Sequence, residues 1–260
     1  MRFVIAPSGA GAIVPRQKLE MNDPNMNDPN MDTPNMNSRI TPEQTAFTQT
    51  ELANLPSRKR ARLINSLSGY KSANLIGTQN QQGQTNLAVV SSVVHLGSSP
   101  ALFAMVMRPH TVRRDTLENI RETGVWTQNA ICQGMLAQAH QTSAAYPREL
   151  SEFEAVGLTA AYYPNFLAPY VVESPLQLGF RCVEITPIKH NQTELVIGEM
   201  QWVKFPSSAL QKDGYLDLAS FGTAAISGLD AYHVPSAPQR FAYAELDKKA
   251  RLLPPTGTEE

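Results

Sequence analysis

The stretch TNLAVVSSVVHLGSSPALFAMVMRPHTVRRDTLENIRETGVWTQNA, residues 85–130, leaves the chain few ways to fold. It holds two apolar runs, Leu87 to Val94 and Ala101 to Met107, each of the length and composition of a buried strand. A polar turn follows each run. The second turn, RPHTVRRDT, opens directly into the helical pattern DTLENIRET, which Asp115 or its neighbour caps and Gly124 closes. A strand, a basic loop and a helix start together can hold a phosphate. Arg108, Arg113 and Arg114 fall within seven residues, and Thr111 and Thr116 add hydroxyls. The helix start offers backbone N–H groups and the positive end of a dipole. Arginine suits the task because its planar fork binds two phosphate oxygens at once. The same residues also describe an ordinary solvated turn, and residue type alone does not separate the two readings.

Beyond this stretch, Ser72 to Thr78, Val125 to Asn129, Leu176 to Lys189 and Glu194 to Lys204 also read as strands. That makes about six in all. QNQQGQ is a polar hairpin turn in which Gly83 can take positive φ. His190-Asn191-Gln192 turns the long final pair, and Pro187 belongs at an edge or bulge. Helices are expected from the Thr41-Pro42-Glu43-Gln44 start up to Leu55-Pro56, then over SRKRARLINSL, Ile131 to Thr142 and Glu149 to Glu154. Strands and helices do not alternate regularly, and the turns are of hairpin type. The pattern predicts a mainly β protein with peripheral helices, built on a mostly antiparallel, closed or split barrel.

Bulk properties exclude several functions. The chain has 260 residues, of which 42% are hydrophobic and 17% charged, with a net charge of −1. That is enough for one ordinary core, and no overall field draws nucleic acid or an anionic membrane. The basic run Arg58, Lys59, Arg60 and Arg62 lacks interleaved aromatics and reads as a solvated helix face. No apolar run reaches membrane-spanning length, and MRFVIAPSGAGA is too short for a secretory core. Cys132 and Cys182 read as two reduced thiols in a cytoplasmic protein.

Residues 1–38 contain the repeat MNDPN MNDPN MDTPN, with Pro24, Pro29 and Pro34 every fifth position. Such spacing forbids a helix, and few apolar groups offset the ordering entropy. The expected organisation is a disordered low-complexity extension over 1–38, one domain over 39–250 and a loose tail over 251–260.

Motifs for other chemistries are missing. There is no G-x-G-x-x-G, no G-x-x-x-x-G-K-[ST], no C-x-x-C, no H-x-x-x-H and no G-x-S-x-G. The five histidines, at 95, 110, 140, 190 and 233, are too dispersed to suggest a metal cluster. Trp126 and the tyrosines at 162, 163, 215 and 232 read as core or interface. His140 and Ser143 could serve a ligand or only brace a helix end.

Taken together, LPSRKRARLINSLSGYKSANLIGT, TNLAVVSS, SSVVHLGSSP, RPHTVRRDTLENIRETG, AHQTSAAYPRELSEFEAVGLT, APYVVESPLQLG, LVIGE and ISGLDAYH resemble the flavin reductase-like, FMN-binding split-barrel family, in its flavoredoxin-like branch. The resemblance covers about residues 55 to 245. It implies a six-stranded antiparallel split β-barrel with a Greek-key path. It also implies a homodimer that binds FMN and takes hydride from NADH or NADPH, with a possible monooxygenase or other electron-acceptor partner. By resemblance, Asn86, Leu87, Ala88, Ser91 and Ser92 line the flavin. Arg108, Thr111, Arg113, Arg114 and Thr116 meet its phosphate and ribityl chain. The segment from His140 to Phe153, including Ser143, approaches from another side. One departure stands out: many flavin reductases place a histidine just before the strand that matches Gly198-Glu199, and this chain has Gln192-Thr193 there. Three functions follow as expectations: an NAD(P)H-dependent FMN reductase, a non-enzymatic FMN electron carrier, or a ligand-binding barrel without the cofactor. Neither of the first two needs a catalytic dyad, because the cofactor carries the reactivity.

Overall fold

Seven strands form one antiparallel sheet, in the order β3 (Thr85–Val90), β2 (Asn74–Gln79), β6 (Val125–Ala130), β9 (Gln177–Ile188), β10 (Thr193–Lys204), β5 (Ala101–Met107) and β4 (Val93–Ser98). The elements come from a computed structural model that describes residues 44–109 and 114–254. The chain divides into two units after Thr48, and among the described residues every helix and strand belongs to the unit that begins at Gln49. Two helices lead in, α1 (Gln49–Asn54) and α2 (Ser57–Leu67), followed by β1 (Lys71–Ser72), β2 (Asn74–Gln79), β3 (Thr85–Val90), β4 (Val93–Ser98) and β5 (Ala101–Met107). Next come α3 (Asp115–Thr123), β6 (Val125–Ala130), α4 (Leu136–Gln141), α5 (Glu152–Val156), β7 (Ala160–Ala161) and β8 (Tyr170–Val171). The long strands β9 (Gln177–Ile188) and β10 (Thr193–Lys204) follow, and β11 (Ala225–Ser227) and β12 (Ala231–His233) complete the set.

The sheet closes for a geometric reason. β3 and β4 stand at opposite ends of the order, yet only Ser91 and Ser92 separate them. Six gaps of about 4.8 Å would put the ends of a flat sheet about 29 Å apart. Val90 and Val93 are three residues apart and reach about 11 Å at most. The sheet must therefore curl into a barrel, with neighbours joined across long connections in Greek-key fashion. The single apolar run expected over Leu87 to Val94 is thus two strands. The only polar residues of that run, Ser91 and Ser92, make the crossing.

Strand alternation then sorts the side chains. Ile76, Met105, Trp126, Phe180 and Val196 fill the inside, and Leu117 and Ile120 of α3 join them. Trp126 stacks on Phe180 at 5.3 Å. Leu75, Leu87, Ile131, Phe153 and Val171 form a second core on the outer face, beneath α4 and α5. Both cysteines are half-buried and free.

Several sequence expectations take a different local form. Ile131 to Thr142 is not one helix. The Ile131 N–H donates to Ala73 O and its carbonyl accepts from Ala224 N, so the helix α4 starts only at Leu136. The short helix expected over Glu149 to Glu154 runs from Glu152 to Val156. Pro187 pairs opposite Glu194 of β10, beyond the reach of β6, so no ladder bond is lost there. Thr41 to Glu43, the N-terminal repeat, Thr111 and Arg113 lie outside the described residues.

Candidate functional site

α3 is held by its apolar face. Leu117 and Ile120 are buried in the barrel interior, and Gly124, with φ 74°, ends the helix by donating its N–H to Ile120 O at 2.8 Å. That anchoring sets the head of α3 beside β3. Asn86 Nδ2 donates to Thr116 Oγ1 at 2.9 Å and to Thr78 Oγ1 at 3.2 Å. Asn119 Nδ2 donates to the same Thr78 hydroxyl at 3.1 Å. Thr78, Thr116 and Asn119 are buried, so these bonds satisfy groups that water cannot reach.

Arg114 occupies the N-cap position of α3 and offers no side-chain cap. Its Nε donates to Pro109 O at 3.3 Å. Burial, and then the charge of Arg108, push the Arg114 guanidinium below its ordinary pKa. Among the described residues, neither Arg108 nor Arg114 sits in an ion pair. Among the described residues Arg121 pairs with Glu194 and Arg181 with Glu199, and at the head of α3 the carboxylate of Asp115 faces Arg148. Two mutually repelling guanidiniums at a helix head form a donor set suited to an anion.

The other expected residues divide. Leu87 is a core residue on the outer face, fully buried, and its backbone N–H donates to Glu152 Oε2 at 2.9 Å. Ala88 is half-buried on the same face of β3 as Asn86. Ser91, half-buried, and Ser92, exposed, make the crossing from β3 to β4, where Ser92 O accepts from Val106 N at 2.9 Å. His140 and Ser143 have partners elsewhere. His140 Nδ1 lies 3.3 Å from the Tyr232 hydroxyl of β12, and Ser143 Oγ donates to His140 O at 2.7 Å. These bonds brace the end of α4, and among the described residues none joins the pair to Asn86, Thr116 or Arg114.

Some residues at the site carried no signal in the sequence. A polar cleft beside Asn86 is lined by Asn80, Gln84, Asp115, Arg148 and Glu152 among others. Burial pushes the Glu152 carboxyl up; the Leu87 amide opposes this, and the Asp115 charge adds to it. Arg148 Nε lies 3.9 Å from Asp115 Oδ1. A second, apolar recess carries Tyr162 and Tyr163, and Tyr163 stacks on Trp202 at 4.6 Å. Among the described residues no cluster of histidine, cysteine and carboxylate could hold a metal, and no helix is long and apolar enough to cross a membrane.

Comparison with known proteins gives this geometry a family. A model of the flavin reductase like domain matches residues 67–220. A split barrel domain protein of Shewanella frigidimarina NCIMB 400 that carries a flavin reductase name is 49% identical. The likeness covers 77% of this chain and all of that one, with a TM-score of 0.74. The flavoredoxin of Desulfovibrio vulgaris (Miyazaki F) shares the fold at 21% identity and a TM-score of 0.58, over 68% of this chain and 92% of its own. An uncharacterised protein of Deinococcus radiodurans is 26% identical over 160 residues, 59% of this chain and 69% of that protein. The domain match spans more than half of the chain and includes α3, the barrel and the polar cleft, so the protein belongs to the flavin reductase-like family.

Proposed function

We propose that the protein binds FMN and transfers hydride from NADH or NADPH to it. The observation that carries this reading is the pair Arg108 and Arg114 at the head of α3. Two cations that repel each other, with no carboxylate bonded to either among the described residues, suit the dianionic phosphate of a mononucleotide. Membership of the flavin reductase-like family supports a flavin as that mononucleotide.

FMN bound there would supply the redox chemistry, accepting hydride at its N5 atom. The chain's own residues have simpler tasks. Arg108 and Arg114 grip the phosphate, with Thr111 and Arg113 of the same loop. Asn86 and Thr116, bonded to one another, present a fixed polar wall between strand and helix. Ala88, Ser91 and Ser92 continue that wall along the edge of the barrel. His140 and Ser143, exposed at the end of α4 and braced by Tyr232, would approach the flavin from another side. Aligning two flat rings requires rigid elements rather than an acid–base pair.

The test is a spectrum of the purified protein, followed by titration with NADH or NADPH without oxygen. Bound flavin that bleaches on titration supports the reductase. Flavin that stays bound while pyridine nucleotide is not consumed supports an electron carrier. Colourless protein that takes up no FMN in calorimetry overturns both. Assembly as a homodimer, and delivery of reduced flavin to a monooxygenase or another acceptor, belong to the same proposal. Light scattering of the purified chain tests the first.

A further inference from the structure

Three consecutive residues at the start of α5 clasp β3. Ser151 Oγ and Thr85 Oγ1 share a hydrogen bond of 2.7 Å. The Leu87 amide donates to Glu152 Oε2 at 2.9 Å. The Phe153 side chain is buried in the same cluster as Leu87. β3 is the terminal strand in the sheet order and pairs in register with β2, so the outward amide of Leu87 has no partner strand. Asn86 lies between the two clasped residues, and its side chain points the opposite way, to Thr78 and Thr116.

We infer that Glu152 is a positioning residue: by accepting the Leu87 amide, its carboxylate holds the edge strand where Asn86 meets the head of α3. For its effect on flavin, the inference rests on the FMN reading above. A strand paired along one edge only shifts or frays more readily, and Asn86 would move with it. A carboxylate acceptor makes a stronger bond to an amide than a neutral group does. The groups facing Glu152 are few. Asp115 comes from α3, and Arg148 and Tyr146 come from the segment before α5; β3 supplies Thr85, Asn86 and Leu87, none of them charged. Arg148 is directed to Asp115 at 3.9 Å, which leaves Leu87 as the defined partner of Glu152.

The experiment compares the full chain with Glu152→Ala and Glu152→Gln. Two quantities are read: the FMN dissociation constant by calorimetry, and the Leu87 amide proton in an ¹⁵N–¹H spectrum as pH is varied across the carboxylate range. Glutamine keeps an acceptor oxygen of the same reach and cannot titrate. The wild-type Leu87 amide should shift as Glu152 titrates, and that shift should be flat in Glu152→Gln. Glu152→Ala should weaken FMN about tenfold, the loss of one charge-assisted bond, and Glu152→Gln should recover most of it. An alanine variant that binds FMN as the wild type does, or a Leu87 amide indifferent to Glu152, overturns the inference. Should the alanine variant fail to fold, the Leu87 titration in wild type and Glu152→Gln decides alone. Wild-type protein that binds no FMN would overturn the flavin reading, and the clasp would then stand or fall on the same amide.

Discussion

Replacing Arg114 with alanine should leave stability nearly unchanged and weaken flavin binding. Among the described residues the Arg114 side chain makes one hydrogen bond, from Nε to Pro109 O, and it is long at 3.3 Å. Such a bond is worth about 0.5–1.5 kcal/mol net at ideal geometry, and less at this length. Against that loss stands relief of the repulsion between Arg108 and Arg114. The side chain is half-buried, so solvent screens that repulsion. The two terms oppose each other, and the folding free energy should move by no more than about 1 kcal/mol. The flavin complex has no such compensation. Losing a charged hydrogen bond to phosphate costs about 1–3 kcal/mol, or about 5- to 150-fold in Kd. Urea unfolding measures the first quantity and calorimetry with FMN the second. Arg114→Lys keeps the charge without the fork and should fall between wild type and alanine. An alanine variant with unchanged flavin affinity would remove Arg114 from the phosphate site. One that loses stability by several kcal/mol would show that it serves the fold instead.

Other perturbations test the neighbouring parts. Gly198→Ala would drive a methyl group into the edge of the Trp126 ring, which is buried and stacked on Phe180. A loss of about 1–3 kcal/mol is expected in urea unfolding, and Trp126→Phe in the same chain should recover part of it. Asn86→Ala strips a donor from the buried hydroxyls of Thr78 and Thr116, and should cost about 1–3 kcal/mol. A double cycle with Thr116→Val should show coupling. The carboxyl of Glu152 is raised in the folded state, so the folded chain binds its proton more tightly than the unfolded chain. Its contribution to stability is therefore greatest in acid and falls as pH rises from the ordinary carboxylate range through the raised value. Glu152→Gln should be the more stable protein at neutral pH, with the gap closing in acid; a gap independent of pH would contradict this. Deleting residues 1–38 should leave both melting temperature and flavin content unaltered, and a large drop in either would mean that the repeat packs on the barrel.

The elements that sequence reading placed well are those whose signals are local. The helix from Asp115 to Thr123 has an acidic first turn, an apolar stripe at Leu117 and Ile120, and a glycine stop, all within ten residues. The long pair of β9 and β10 shows its turn at His190 to Gln192, and Gln192 takes φ 59° there. Asn86 and Thr116 meet by a hydrogen bond because strand, loop and helix follow one another closely in the chain. Leu87 shows the limit. By resemblance it belongs to a segment that lines the flavin, and alternation along β3 places its side chain in the outer core. Which face of a strand is inside depends on where the sheet lies, and that is not written in the strand.

By itself the sequence determined the helix from Asp115 to Thr123 and the turn between β9 and β10, because capping, apolar period and turn residues act over a few positions. It also determined that a cationic loop must precede α3. Only the tertiary structure decided that Leu87 to Val94 breaks at Ser91 and Ser92, since the break exists to join the two ends of a curled sheet. Only the tertiary structure brought Glu152 to the Leu87 amide, 65 residues away in the chain. Contacts of that span are selected by how the whole barrel packs, and no local preference encodes them.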